Sequence, residues 1–210
     1  MEVKEPVSPK IPIKRLVIDD FVDGEFSIAL SDLVQSPNVR TLEDCQQGTM
    51  LGGTRNVQLN LCENSYENQA SVRVAQSALS FNNDAGVYSW LELSYGVCQG
   101  GTPLHVDLTQ WSHFKVWFNC NDIAVSLVCL LFCCGGAHYA EGWLPVNHPA
   151  SNNPSLATLE FSTFKYSEEF TWNDVEKIVF RFQLDSTPDA IHGYFGSDFA
   201  IDVIEADFLP

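Results

Sequence analysis

The feature that most constrains the fold of this chain is an alternation of apolar and polar side chains that returns in nine short segments. Successive side chains of a β-strand point to opposite faces, so this alternation is typical of strands with one buried face. The segments are rich in Val, Ile, Phe, Tyr and Trp, which favour strands. They are LVIDDF, NVQLNL, SVRVA, VYSWLELSY, FKVWFNC, IAVSLVCLLF, ATLEFSTF, KIVFRFQL and FAIDVIEADF.

Gly, Asn, Asp, Pro and Ser separate these segments, and no segment sustains the apolar spacing of a helix. The pattern predicts an all-β fold, an antiparallel β-sandwich or jelly roll, and a length of 210 residues suits a single domain. We expect residues 1–15 to form a flexible, Pro-rich leader, because Pro6, Pro9 and Pro12 oppose a helix. Residues 16–210 are then the β-sandwich domain.

The charge of the chain excludes several classes of partner. It holds 27 acidic and 11 basic residues, for a net charge of −16. Nucleic acids and anionic membranes bind clusters of Lys and Arg, so we expect neither as a partner. No apolar run has the length of a membrane-spanning helix, and the first residues do not resemble a signal peptide. We expect a cytoplasmic protein for the chain as written, or an extracellular one if a leader was removed.

The seven cysteines show no C-x-x-C spacing of the kind that binds zinc. Their odd number and the missing leader predict reduced thiols. Cys129, Cys133 and Cys134 lie in an apolar run, where cysteine acts as a small hydrophobic residue.

The stretch QQGTMLGGTRNVQLNL, residues 46–61, has the glycine density of a phosphate-binding loop. Such a loop needs Lys and then Ser or Thr after its last glycine, followed by a helix. Here Thr54 and Arg55 follow Gly53, and a strand pattern comes next. We therefore predict that the glycines permit a bulge or a close approach between strands. Arg55 is either a structural arginine that pairs with a carboxylate or a ligand contact.

The order of several motifs resembles that of bacterial exported β-sandwich proteins with a C-terminal Pro-Glu-Pro sorting anchor. The motifs are IDDF, GTMLGGTRNVQL, ALSFNNDAGVYSWLELSYG, VDLTQWSHFKVWF, LEFSTF, NDVEKIVFRF and FAIDVIEADF, and they cover roughly residues 16–208. The resemblance implies a galactose-binding-like jelly roll, the architecture of many carbohydrate-binding modules. This architecture also resembles, more distantly, that of calcium-dependent cyanobacterial cyclases. The chain shows neither the secretion signal nor the anchor of the exported group.

In jelly rolls of this kind the first and last strands lie close together, which would bring carboxylates from both ends of the chain near one another. The first strand offers Asp19 and Asp20, and the last offers Asp202 and Glu205. Calcium takes several oxygen ligands, many of them carboxylates. We predict a structural Ca²⁺ at these residues, although alternation lets only one or two from each end share a face. The alternative is that these acids lie on outer faces and promote solubility.

Aromatic residues near loops are candidates for ligand binding, because a ring can stack on a sugar face or on an apolar ring. Trp111 and Trp143 adjoin loops, whereas Trp90 and Trp117 lie within strands and are expected in the core. His138 and Tyr139 stand at the start of a strand-like segment. The predicted ligand site therefore comprises Arg55, Trp111, His138, Tyr139 and Trp143.

Three functions fit this sequence. The first is a β-sandwich module that binds carbohydrate or another small ligand. The second is a cofactor-free, calcium-dependent cyclase or isomerase that acts on an apolar natural product by acid catalysis in the jelly-roll pocket. The third is a structural protein that forms a homo-oligomer through exposed strand edges. The sequence has no G-x-S-x-G motif, so it does not support serine hydrolase chemistry.

Overall fold

The computed structural model describes residues 15–35, 37–65, 67–96, 98, 102–121, 125–146, 155–184 and 197–208. Within these ranges the chain forms fourteen strands and two short 3₁₀ turns, at Leu51–Gly53 and Phe161–Thr163. The predicted all-β fold is thus confirmed. The predicted leader lies outside the described ranges except for Arg15, so its flexibility stays a prediction. No helix of the described part is long and apolar enough to cross a membrane.

The fourteen strands are numbered in chain order. They are β1 (Leu16–Asp19), β2 (Phe26–Leu30), β3 (Arg40–Gln47), β4 (Thr54–Asn64), β5 (Ala70–Ala75), β6 (Ala78–Asn83), β7 (Val87–Tyr95), β8 (His113–Asn121), β9 (Val125–Cys133), β10 (His138–Val146), β11 (Ser155–Glu160), β12 (Lys165–Tyr166), β13 (Lys177–Leu184) and β14 (Ser197–Asp207).

These strands form two seven-stranded sheets whose pairs are antiparallel. Sheet A has the order β11-β8-β14-β6-β5-β2, and β1 pairs with β14. Sheet B has the order β12-β10-β9-β13-β7-β4-β3. The chain crosses between the sheets several times, for example from β4 to β5 and from β6 to β7, as in a jelly roll. The predicted antiparallel β-sandwich is therefore confirmed.

The core lies between the two sheets, and strand alternation decides which side chains enter it. In β4, Val57, Leu59 and Leu61 are fully buried, and the polar residues between them lie on the outer face. Phenylalanine rings from both sheets meet at the centre, among them Phe118 of sheet A and Phe182 of sheet B, whose centroids are 6.2 Å apart. Burying each such side chain contributes about 1.5–3 kcal/mol.

The glycine-rich stretch forms a tight turn into β4. Gly52 and Gly53 have φ values of 74° and 72°, which glycine adopts without strain. A Cβ at Gly52 would lie 2.3 Å from a methyl carbon of Leu104. Gly52 therefore permits a close approach to the Leu104 side chain, and the element after the glycines is a strand, whereas the predicted bulge or close approach between strands is not seen at these glycines.

Cys45 and Cys98 form a disulfide bond, so the prediction that every cysteine is reduced is wrong. Their Cα atoms are 5.7 Å apart although 53 positions separate them in sequence. Cys45 in β3 lies opposite Asn56 of β4, so the bond ties the segment after β7 to the edge of sheet B. Spacing in the sequence could not reveal this pair, because strand pairing brings the two residues together. The free thiols of the described part include Cys62, Cys129, Cys133 and Cys134.

Candidate functional site

Arg55 lies between the sheets, with a fully buried side chain. Its Nη1 donates a hydrogen bond to Oδ2 of Asp19 at 2.7 Å. Its Nη2 donates to the backbone oxygens of Asp23, at 3.3 Å, and Gly24, at 3.2 Å. The guanidinium carbon is 5.2 Å from the ring centroid of Phe21, in a cation–π arrangement. Arg55 therefore ties β4 to the turn after β1, which agrees with its structural interpretation.

Asp19 is the centre of this buried cluster. Its Oδ2 also accepts a hydrogen bond from the Tyr95 hydroxyl at 2.9 Å, and its Oδ1 accepts one from the backbone N of Phe21 at 2.9 Å. Burial, followed by the negative charge of Asp19, raises the pKa of Tyr95 well above its ordinary value. The hydroxyl thus stays protonated and continues to donate. Both oxygens of Asp19 are engaged within the protein.

The three other carboxylates predicted as calcium ligands lie apart from Asp19. Asp20 accepts a hydrogen bond from the backbone N two residues later, at 3.3 Å. Asp202 is at a register irregularity of β14. Glu205 is buried on the outer face of sheet A, where it accepts a hydrogen bond from Nε1 of Trp117 at 3.3 Å. The structure does not bring the four carboxylates together, and calcium binding stays a prediction.

Within the described ranges, the one group whose potential metal ligands all lie within 4.8 Å of one another is His105, Asp174 and Glu176. Nδ1 of His105 is 2.8 Å from Oδ1 of Asp174. Oε2 of Glu176 accepts a hydrogen bond from the backbone N of Gly135 at 2.7 Å. This group could not be predicted from the sequence, because His105 is far from Asp174 and Glu176 along the chain and a β-bridge between the segments before β8 and β13 brings them together.

The outer face of sheet B carries a row of side chains that crosses five strands. The register places Trp143 of β10 opposite Val128 of β9, and Val128 opposite Arg181 of β13. Arg181 in turn lies opposite Glu92 of β7, and Glu92 opposite Gln58 of β4. Residues directly opposite one another in antiparallel strands present their side chains on the same face. The row therefore has a tryptophan and a valine at one end, followed by charged and amide groups.

A second row runs parallel to the first. Ser126 of β9 lies opposite Gln183 of β13, Gln183 opposite Trp90 of β7, and Trp90 opposite Asn60 of β4. We call the two rows together the sheet B platform, comprising Trp143, Val128, Arg181, Glu92, Gln58, Ser126, Gln183, Trp90 and Asn60. Three strand spacings separate Trp143 from Trp90, a distance of about 14 Å across the sheet.

Hydrogen bonds fix the polar groups at the centre of the platform. Oε1 of Glu92 accepts from Nε of Arg181 at 2.9 Å and from Nε1 of Trp90 at 3.2 Å. Oδ1 of Asn60 accepts from the hydroxyl of Thr41 at 2.8 Å. Nδ2 of Asn60 is buried and has no hydrogen-bond partner within the part of the chain that the structure describes. The platform thus combines indole faces with orientated donors and acceptors.

The structure separates the predicted ligand residues into different places. Tyr139 and Trp143 are 48% and 57% exposed on the outer side of β10. Trp111 lies at the sandwich edge, in the cleft described below. His138 begins β10, where its Nε2 is 3.0 Å from Oε2 of Glu169. Only Trp143 belongs to the sheet B platform, and Arg55 lies in the interior.

The expectation that Trp90 and Trp117 are core residues is wrong. Trp90 is half-buried on the outer face of sheet B, and Trp117 is 39% exposed on the outer face of sheet A. A signal for Trp90 was present in VYSWLELSY. Alternation puts Trp90 on one face with Glu92 and Ser94, and Leu91 on the opposite, apolar face.

An aromatic cleft of about 380 Å³ opens between the segment before β8, the 3₁₀ turn after β11, strand β12 and the segment before β13. Its lining residues are Leu108, Thr109, Trp111, Phe161, Ser162, Tyr166 and Trp172. None of them belongs to the sheet B platform.

No family model matches this chain, and no curated protein matches it. Among solved structures, it is similar to the family 11 carbohydrate-binding module of the cellulosomal cellulase Lic26A-Cel5E of Clostridium thermocellum. That similarity has 10% identity and a TM-score of 0.45, and it covers 95% of this chain and 97% of the module.

Two further structures are similar at comparable levels. One is a family 29 carbohydrate-binding module complexed with mannohexaose, with 8% identity, a TM-score of 0.42 and coverage of 94% of each chain. The other is a DUF4465 family protein from Bacteroides caccae, with 10% identity, a TM-score of 0.35, and coverage of 93% of this chain and 100% of the other. The resemblance to exported proteins with a sorting anchor stays a prediction.

Proposed function

We propose that this protein is a carbohydrate-binding β-sandwich module and that its ligand lies across the sheet B platform. The observation that carries the proposal is the pair of rows that join Trp143 and Trp90 through Arg181, Glu92 and Gln183. A sugar presents apolar C–H groups on its faces and hydroxyl groups around its edge. Indole rings match the first, and fixed charged and amide groups match the second.

The dimensions of the platform favour a chain of sugars over a single residue. Its two tryptophans are about 14 Å apart, which is farther than one sugar ring can reach. Ser126, Arg181 and Gln183 lie on the two strands between them, where the middle residues of an oligosaccharide would pass.

The enzymatic alternative needs an acid in an enclosed apolar pocket. Within the described ranges the buried carboxylates are those of Asp19 and Glu205. Asp19 is engaged by Arg55 and Tyr95, and Glu205 by Trp117. These contacts favour the binding module, while the cyclase hypothesis and its calcium stay predictions.

The disulfide bears on where such a module would act. Disulfides persist mainly in oxidising compartments, such as the cell exterior and the bacterial periplasm. The Cys45–Cys98 bond therefore favours an extracellular or periplasmic protein over a cytoplasmic one. An extracellular location also suits a protein that binds polysaccharides.

Affinity electrophoresis in gels that contain soluble neutral polysaccharides would test the proposed function. We expect at least one polysaccharide to retard the wild type, and Trp90→Ala or Trp143→Ala to weaken binding at least about tenfold, or about 1.4 kcal/mol. Trp117→Ala is the matched control, because Trp117 is an exposed tryptophan on the opposite sheet.

Isothermal titration with oligosaccharides of the best polysaccharide would then give the affinities, and circular dichroism would verify that each variant is folded. The proposed function is wrong if no neutral polysaccharide retards the wild type. It is also wrong if both platform variants bind as well as Trp117→Ala does.

A further inference from the structure

The aromatic cleft has walls that are already held in place. Trp172 stacks on Phe161, with centroids 4.9 Å apart and planes at 22°. Phe170 meets the ring of Trp172 edge-on at 5.2 Å. On the other wall, the ring of Trp111 packs against Phe208 at 4.9 Å. The side chains of the cleft therefore lose little conformational entropy when a ligand binds, which favours binding.

The polar groups of the cleft act as hydrogen-bond acceptors. The hydroxyl of Thr109 donates to Oδ1 of Asp107 at 2.6 Å, and the hydroxyl of Ser162 donates to Oε2 of Glu160 at 3.3 Å. Because both hydroxyl protons are used in this way, the hydroxyl oxygens remain as acceptors beside two carboxylates. The side-chain and backbone hydrogen bonds from Thr109 lower the pKa of Asp107, which keeps it ionised.

Acceptors of this kind select one class of ligand. A sugar hydroxyl donates readily to a hydroxyl oxygen or a carboxylate, whereas a uronate or phosphate would face negative charge. The aromatic walls match the C–H faces of a pyranose ring. A volume of about 380 Å³ also lies within the range of small-ligand sites.

We propose that the aromatic cleft is a second binding site, separate from the sheet B platform, and that it takes one neutral sugar residue. The sugar stacks on the exposed aromatic surface and donates hydroxyl hydrogens towards Thr109 and Ser162. Together with the platform, this site makes the protein bivalent for a polysaccharide. Two linked sites can raise the overall affinity by 10²–10⁴-fold without any new contact.

Indole N–H signals in NMR spectra can follow the two sites separately. The five tryptophan signals are assigned by single substitutions in the ¹⁵N-labelled full chain. Glucose, galactose and mannose are then titrated in turn, with glucuronate as the anionic probe. We expect at least one neutral sugar to shift the signals of Trp111 and Trp172 but not that of Trp117, and glucuronate to shift none of these.

Two variants connect such shifts to the cleft. Tyr166→Ala removes a ring that is 60% exposed, and Thr109→Val removes one acceptor oxygen, so the fold should tolerate both changes. Each variant should lower the affinity for the sugar that shifts the Trp111 signal by about fivefold or more, whereas the control Trp117→Ala should not. The second site is disproved if no neutral sugar shifts Trp111 and Trp172, if glucuronate binds equally well, or if both cleft variants retain wild-type affinity.

The two proposals can fail independently. In the double variant Trp90→Ala/Trp143→Ala the platform is disabled, and we expect the Trp111 and Trp172 shifts to remain. If these shifts disappear with the platform variants, there is no separate second site. If they remain while no polysaccharide binding depends on Trp90, the cleft is a site and the platform is not.

Discussion

Two arginine–carboxylate pairs of this protein have almost the same chemistry and opposite surroundings. In the interior, Nη1 of Arg55 binds Asp19 at 2.7 Å, and that carboxylate also accepts a hydrogen bond from Tyr95. On the platform, Nε of Arg181 binds Glu92 at 2.9 Å, and that carboxylate also accepts one from an aromatic N–H. The side chains are 0% and 2% exposed in the first pair, and 32% and 16% in the second.

Burial explains why only one of these pairs can act as a ligand site. A buried ion pair that loses one partner leaves an uncompensated charge, which is strongly destabilising. A half-exposed pair contributes little to stability, because water screens both charges. The inner pair thus holds the turn after β1 against β4, and the outer pair is accessible to a ligand.

The largest expected effect concerns the inner pair. Arg55→Met removes the cation but leaves Asp19 buried, and we expect it to lower the free energy of unfolding by about 3–5 kcal/mol. Urea denaturation measures this loss, with Arg181→Met as the matched control. The double change Arg55→Met/Asp19→Asn should restore part of the loss, because no unpaired charge then remains and the amide oxygen can still accept a hydrogen bond. If the two single variants are equally stable, the contrast between the two pairs is wrong.

The disulfide is the next largest expected contribution, and Cys45 lies in β3, the strand that pairs with the strand of Arg55. Replacing both Cys45 and Cys98 by Ser should lower the free energy of unfolding by about 2–4 kcal/mol, because the bond constrains the unfolded chain. Cys134→Ser is the control, since that thiol is free and exposed. Equal stability of the wild type with and without a reducing agent would contradict this prediction.

A smaller change in stability is expected at the outer pair. Glu92→Gln keeps the shape of the side chain but removes its charge, and the free energy of unfolding should change by no more than about 1 kcal/mol. Glycan affinity should nevertheless fall several-fold, as titration calorimetry would measure. If the variant loses stability but keeps its affinity, this pair has a structural role like that of the inner pair and does not bind the ligand.

The smallest expected effect concerns His113, which is 2% exposed on sheet A. Burial, and next the charge of Lys115, lowers the pKa of His113, while Asp207, Glu160 and Glu205 oppose this change. The unfolded state, with an ordinary histidine pKa of about 6.5, therefore binds the proton more readily than the folded state. The contribution of His113 to stability should be fully present above that pH and should be lost as the pH falls through the folded-state pKa of this residue.

Unfolding measured between about pH 7 and 5 would test this dependence, and His113→Gln should flatten it. Asp207 does not contribute to the pH dependence in this range. The hydrogen bond from Lys115 lowers the pKa of Asp207, so its contribution is lost only as the pH falls below about 3.9. An identical slope in the wild type and in His113→Gln would show that other groups cause the dependence.

Much of the fold could be predicted from the sequence, because alternation is a local property of a strand. The segment KIVFRFQL predicts that Val179, Arg181 and Gln183 share a face, and the structure places Arg181 and Gln183 on the outer face. The same rule, applied to Trp90 and Glu92, would have predicted an outer face there too. Trp90 was expected in the core because it lies within a strand, but its polar neighbours Glu92 and Ser94 share its face.

The residues that meet across strands could not be predicted in this way. Trp143, Arg181 and Glu92 are far apart in sequence, and only the sheet order β10-β9-β13-β7 makes them neighbours. The same holds for the Cys45–Cys98 bond and for Arg55, whose partner Asp19 was predicted as a calcium ligand. The face on which each side chain of a strand lies depends on adjacent residues and can therefore be predicted from the sequence. Strand pairing and packing depend on contacts between distant segments, so the tertiary structure alone decides which polar groups are buried as ties and which are exposed to bind.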